Sequence, residues 1–61
     1  METAMITIQV QDVNKNWFSV QQNVMNQSQI ILTKMQEAKR SYPNKRVRAV
    51  DSAGRLVDIL E

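Results

Sequence analysis

The 61-residue sequence contains no cysteine and no histidine, and it has only one glycine and one proline. Without cysteine the chain can form neither a disulfide nor a thiolate metal site. Without histidine it lacks the commonest metal ligand and general base. A single glycine excludes the phosphate-binding loops and dinucleotide fingerprints that need several. We therefore expect a protein that is not an enzyme and that uses neither a metal nor a cofactor.

Long apolar runs are missing as well. Nothing approaches the roughly 18 apolar residues of a membrane span, and residues 1–5 lack the basic and apolar segments of a secretion signal. We expect a cytoplasmic protein that makes no membrane contact.

Residues 1–61 are enough for one domain with a small core, because a chain this short buries only about 60% of its unfolded surface. Since disulfides and thiolate metal sites are excluded, oligomerisation is the remaining common source of stability, and we expect a homo-oligomer, either a dimer or larger.

The N-terminal third has the pattern of a hairpin. From Thr3 to Gln11, β-branched and polar residues alternate, which predicts a half-buried strand. Turn-forming residues occupy three of the five positions 12–16, and Trp17–Val20 follows as a short second strand.

The middle of the chain predicts an amphipathic helix. Apolar residues recur at the spacing of one helix face, at Ile31, Met35, Ala38 and Tyr42. Asn26 or Ser28 is the expected N-cap, and the helix should end near Ser41 because of Pro43.

The C-terminal third predicts a second hairpin, with strands Val47–Val50 and Leu56–Leu60. Asp51 and Gly54 suit a type I turn followed by a left-handed glycine. This turn sets Asp51 opposite Arg55. Continuing the register gives three further pairs, Ala49 with Val57, Arg48 with Asp58, and Val47 with Ile59.

These elements predict an α+β fold of order ββαββ, a four-stranded antiparallel sheet with the helix on one face. The other face would stay open. It is expected to hold Thr7, Gln9, Gln11, Trp17, Arg46, Arg48, Val50, Leu56, Asp58 and Leu60.

Several uses of this open face are compatible with the sequence. Val50, Leu56 and Leu60 could form an apolar interface between two copies. Alternatively, a partner could bind there, with Trp17 as aromatic anchor and Arg46 and Arg48 supplying charge, since tryptophan and arginine dominate binding hot spots. Tyr42 is a further candidate contact. The partner could be a protein, a small phosphorylated or nucleotide ligand, or a nucleic acid stacked on tryptophan. The simplest alternative is that Trp17 packs in the core and the arginines pair with nearby acids.

The segment SYPNKRVRAVDSAGRLVDIL at positions 41–60 resembles the C-terminal hairpin of small bacteriophage and prophage proteins of unassigned role. These carry a similar YP…RVRAVD…GRLVDI ending after a helix, and a tryptophan-containing hairpin before it. The resemblance implies a compact phage factor in the host cytoplasm. Such a factor would inhibit host defence, by binding a defence protein or by sequestering a nucleotide-type immune signal. The alternative is a small nucleic-acid-binding protein that uses the arginines and tryptophan of the sheet.

Overall fold

The computed structural model describes residues 5–60 and contains four strands and one helix. In chain order these are β1 (Ile6–Gln11), β2 (Trp17–Val24), α1 (Ser28–Ser41), β3 (Val47–Val50) and β4 (Leu56–Leu60). The strands form one antiparallel sheet in the order β2-β1-β3-β4. The predicted α+β fold of order ββαββ is confirmed. No helix within residues 5–60 is long and apolar enough to cross a membrane.

The core lies between α1 and one face of the sheet. Ile6, Ile8 and Val10 alternate along β1 with half-buried polar residues, and all three are fully buried. This alternation is what an antiparallel strand with one covered face requires. On the helix, the buried residues Ile31, Met35 and Ala38 belong to the predicted apolar stripe and pack against the same cluster.

The two ends of α1 differ in how well they are capped. The N-cap is Gln27, rather than the expected Asn26 or Ser28, and no side chain accepts a hydrogen bond from the free amides of the first turn. At the other end, the Tyr42 amide donates to the carbonyl of Ala38 at 2.9 Å. The helix ends at Ser41, as predicted, just before the residue that precedes Pro43.

Both hairpins close with the same turn geometry. The amide of Lys15 donates to the carbonyl of Asp12 at 3.0 Å, and the amide of Gly54 donates to that of Asp51 at 2.9 Å. Both donors lie in the left-handed region, with φ of 67° at Lys15 and 81° at Gly54. The left-handed glycine was expected from the sequence. The left-handed lysine was not, because lysine gives no local signal for positive φ.

An aspartate organises each turn through its own carboxylate. Asp12 Oδ1 accepts the amides of Asn14 and Asn16 at 2.8 and 2.9 Å. Asp51 Oδ1 likewise accepts the amides of Ala53 and Arg55, both at 2.9 Å, and its Oδ2 accepts from Arg55 Nε at 3.0 Å. The Arg55 amide and, to a lesser degree, the Ala53 amide and the Arg55 charge hold the pKa of Asp51 below its ordinary value of 3.8.

The predicted register of the second hairpin is wrong by one residue beyond the turn. Val50 pairs with Leu56, but the next residue along β3, Ala49, pairs with Asp58, so Val57 is an extra residue in β4. The remaining pairs are Arg48 with Ile59 and Val47 with Leu60. Directly opposite residues share a face of the sheet. The bulge therefore moves Asp58 and Leu60 to the helix side and Ile59 to the opposite side, the reverse of the prediction.

The second strand is longer and less regular than expected. It continues past the predicted end at Val20 to Val24, and its pairing with β1 shifts twice. One shift falls between Ser19 and Gln21, and the other falls between Gln21 and Val24. Asn23, in the second interval, has φ of 59°, a backbone conformation that asparagine tolerates better than most residues.

Candidate functional site on the uncovered sheet face

The sheet face opposite α1 carries three rows of side chains that run across the strands. We call it the uncovered face, and its rows follow from the pairing of the strands. The first row is Trp17, Gln11 and Arg46. The middle row is Ser19, Gln9, Arg48 and Ile59. The last row is Thr7, Val50 and Leu56. Within residues 5–60 the rows contain Arg46 and Arg48 and no carboxylate. The positive charge of Arg48 favours an anionic partner.

The centre of the uncovered face is a cluster of Gln9, Trp17 and Arg48, from here the Arg48 cluster. The guanidinium carbon of Arg48 lies 4.1 Å from the ring centroid of Trp17, which is a close cation–π contact. Arg48 Nε donates to Gln9 Oε1 at 2.8 Å. Arg48 and Gln9 are directly opposite on β3 and β1, and Trp17 is one residue pair away on β2. Three strands therefore hold one guanidinium group in place.

The two Nη atoms of Arg48 carry the hydrogen-bond donors of this cluster that could bind a ligand. Arginine carries five N–H donors, and Gln9 takes the single one on Nε. The donors on the two Nη atoms make no hydrogen bond with another residue in the range 5–60. A planar pair of donors on a fixed guanidinium is the group that binds phosphate or carboxylate oxygens bidentately.

The predicted contacts Trp17 and Arg48 are thus neighbours, and the simple packing of Trp17 into the core is not observed. Trp17 is half-buried on the uncovered face and is absent from the core cluster. Gln9 was not among the predicted contacts. Its partnership with Arg48 depends on β1 lying beside β3, and that strand order has no signature in the local sequence.

Arg46 lies at the edge of the same face. Its carbonyl accepts the amide of Gln11 at 3.0 Å, which places Arg46 in the first row just before β3 begins. It adds a second positive charge on the same side of the sheet as Arg48.

Tyr42, the fourth predicted contact, is on the opposite side of the sheet. Its ring meets the edge of Phe18 at a centroid distance of 5.8 Å and an angle of 79°, and it packs against the core. It also lines a groove of about 300 Å³ between the end of α1 and β2, whose other lining residues are Val20, Gln21, Glu37, Ala38 and Ser41. Tyr42 therefore lies away from Trp17 and the arginines, and its role as a partner contact stays a prediction.

The apolar residues predicted as an interface are also divided. Val50 is 6% exposed and Leu56 is 58% exposed, and both belong to the last row of the uncovered face. Leu60 instead pairs with Val47 and packs against the core on the helix side, because of the bulge at Val57. Ile59 takes its place on the uncovered face, next to Arg48. The predicted position of Asp58 on that face is wrong for the same reason.

No family model, curated protein or solved structure matches the chain. Within residues 5–60, no group of three acidic, histidine or cysteine side chains is placed to hold a metal ion.

Proposed function

We propose that this chain is a non-catalytic binding protein that takes up a phosphorylated nucleotide ligand on the uncovered face. The supporting observation is the Arg48 cluster, in which Trp17 and Gln9 fix a guanidinium group whose Nη donors make no hydrogen bond with another residue of the range 5–60. In the biological setting implied by the phage-protein resemblance, such a protein would sequester a nucleotide-type immune signal of the host.

The cluster suits phosphate because Arg48 is already ordered before a ligand arrives. A free arginine side chain loses about 2 kcal/mol of rotamer entropy when it is fixed. Here the contact with Trp17 and the hydrogen bond to Gln9 fix the side chain in the unliganded protein. Binding of phosphate then costs less side-chain entropy than it would for a mobile arginine. More of the free energy of the two charge-assisted hydrogen bonds therefore contributes to affinity.

The same cluster suits a nucleobase. Unpaired bases stack on aromatic rings and on the planes of arginine guanidinium groups. The Arg48 guanidinium lies over the Trp17 ring, so a base would stack on this guanidinium–indole pair. The side-chain amide of Gln11, a residue in the same row as Trp17, can supply hydrogen bonds to the edge of a base.

Fluorescence gives a direct test, because Trp17 is the only tryptophan of the chain. We expect adenosine monophosphate and a cyclic dinucleotide to quench its emission in a saturable manner. Arg48→Lys keeps the charge but removes the planar donor pair, and it should weaken binding by about tenfold or more. The matched control is Arg40→Lys on the exposed side of α1, which should bind as the parent does.

Three outcomes would contradict this function. The first is the absence of quenching and of binding heat with both ligands. The second is equal affinity of the Arg48→Lys and Arg40→Lys variants. The third is binding only to single-stranded oligonucleotides, with a steep loss between low and moderate salt. That salt dependence would indicate several phosphate contacts and would favour the alternative nucleic-acid-binding function.

A further inference from the structure

Strand β4 lies beyond the part of the sheet that the helix covers. Helix α1 packs mainly against β1, β2 and β3. Leu56 and Val57 are 58% and 43% exposed, and Ile59 and Leu60 are half-buried, so four of the five β4 residues are incompletely buried apolar groups. An edge strand of this composition is a template for pairing with another strand.

The hydrogen-bond pattern identifies which backbone groups face that edge. The backbone amide of Gln11 donates to the carbonyl of Arg46, so the backbone of Arg46 faces β1. Backbone groups of alternate residues point to the same neighbouring strand, so the backbone of Arg48 also faces β1. Ile59, which is opposite Arg48, therefore directs its own amide and carbonyl away from β3 and toward the open edge. Asp58 and Leu60, which alternate with it, direct theirs toward β3.

The opposite edge of the sheet is much less suited to pairing. Strand β2 is interrupted by two register shifts and by the left-handed Asn23, and Ser19, Gln22 and Asn23 are all exposed polar residues. Bulges of this kind protect an edge from a further strand. One competent edge per chain allows two copies to pair and then leaves no edge for a third.

We infer that β4 pairs antiparallel with β4 of a second copy, about a twofold axis at Ile59. Ile59 then exchanges both backbone hydrogen bonds with Ile59 of the second copy, which uses the groups that face the edge. Asp58 comes to lie opposite Leu60 of the second copy. An axis at Asp58 would instead place two carboxylates directly opposite each other, and like charges in that position are destabilising. The product is one continuous sheet of eight strands, with both uncovered faces on the same side.

Asp58 restrains this pairing. In the single chain its Oδ1 accepts the amide of Ile59 at 2.8 Å, so the edge-facing amide already has a partner. Pairing exchanges that charge-assisted bond for one to a carbonyl of the second copy. The dimer should therefore form with increasing concentration rather than be permanent.

Sedimentation equilibrium over a range of concentrations tests the inference. The parent should rise from 7.1 kDa toward twice that mass. Ile59→Pro should remain monomeric, because proline lacks the amide that pairing needs, and an edge position with an outward amide tolerates it. Ile59→Ala is the matched control, which keeps the amide and should still dimerise. Asp58→Ala should tighten the dimer by about tenfold, since it removes the competing charge-assisted bond.

The inference is independent of the proposed ligand, and three results would overturn it. One is a monomer at all concentrations for both the parent and Asp58→Ala. Another is a dimer that survives Ile59→Pro but is lost in Leu56→Glu, which would assign the contact to packing of uncovered faces. The third is an assembly that grows beyond two copies, since only one edge is available. Circular dichroism of each variant should verify that the monomer is folded.

Discussion

Exchanging the left-handed residues of the two hairpins should change stability in opposite directions. Lys15 and Gly54 occupy equivalent positions in two turns with the same hydrogen bonds, and only one of them is a glycine. A left-handed conformation costs a residue with a side chain about 1–2 kcal/mol. Glycine avoids that cost, but ordering its more flexible backbone on folding costs about 0.5–1 kcal/mol more than ordering a residue with a side chain. Lys15→Gly should therefore stabilise the protein by roughly 0.5–1 kcal/mol, the difference between these two terms.

The contacts at Lys15 support this magnitude. The turn bond from its amide to Asp12 and the bond its carbonyl accepts from Gln11, at 3.3 Å, both involve the backbone and survive the substitution. At Gly54, a Cβ would meet no atom within 4 Å, so Gly54→Lys carries the conformational cost without a collision. The turns lie at opposite ends of the sheet, because β1 and β3 are antiparallel. The two effects should add, and the double variant should have nearly the parent stability.

Thermal unfolding followed by circular dichroism measures these differences. A change of 1 kcal/mol moves the Tm of a domain this small by about 4–8 °C, so Lys15→Gly should raise Tm by roughly 2–8 °C. Lys15→Ala is the control, since it removes the same side chain without relieving the backbone. A lower Tm for Lys15→Gly, or an unchanged Tm for Gly54→Lys, would refute the reasoning.

Two further predictions concern the helix and the second turn. Gln27→Asp should stabilise the protein by about 1 kcal/mol, because it supplies the missing side-chain cap and a negative charge near the helix N-terminus; urea unfolding that leaves the midpoint unchanged would contradict this. The folded-state pKa of Asp51 is lowered, so its ionised form stabilises the protein above pH 3.8, and this contribution is lost as the pH falls through the lowered pKa. The stability difference between the parent and Asp51→Asn should therefore shrink on acidification, and a difference that stays constant in urea titrations at several pH values would show that the carboxylate charge has no role.

Local sequence patterns were sufficient for the elements but not for their exact alignment. Strands β3 and β4 have the predicted bounds, because Asp51 and Gly54 specify the turn between them. The slip within β4 was not predictable, because Leu56 and Val57 are both good strand residues and nothing in the sequence marks either as a bulge. A shift of one residue moves every following side chain to the other face, so one undetected bulge misplaced Asp58, Ile59 and Leu60.

The candidate site was predictable only in part, for a related reason. Trp17 and Arg48 could be assigned to one face from the alternation along their own strands. Their direct contact requires β1 to lie between β2 and β3, which is a property of tertiary topology. Tyr42, the remaining candidate contact, belongs to the apolar stripe predicted for the helix, and it packs on the other side of the sheet.

The most direct test of the ligand site is a nuclear magnetic resonance titration of the nitrogen-15-labelled protein with a cyclic dinucleotide. Binding on the uncovered face should shift the indole signal of Trp17, the guanidinium signals of Arg48 and the side-chain amide of Gln9, while signals around Tyr42 stay in place. Shifts confined to the groove near Tyr42, or no shifts at a ligand concentration that saturates fluorescence quenching, would contradict the assignment of the uncovered face as the binding site.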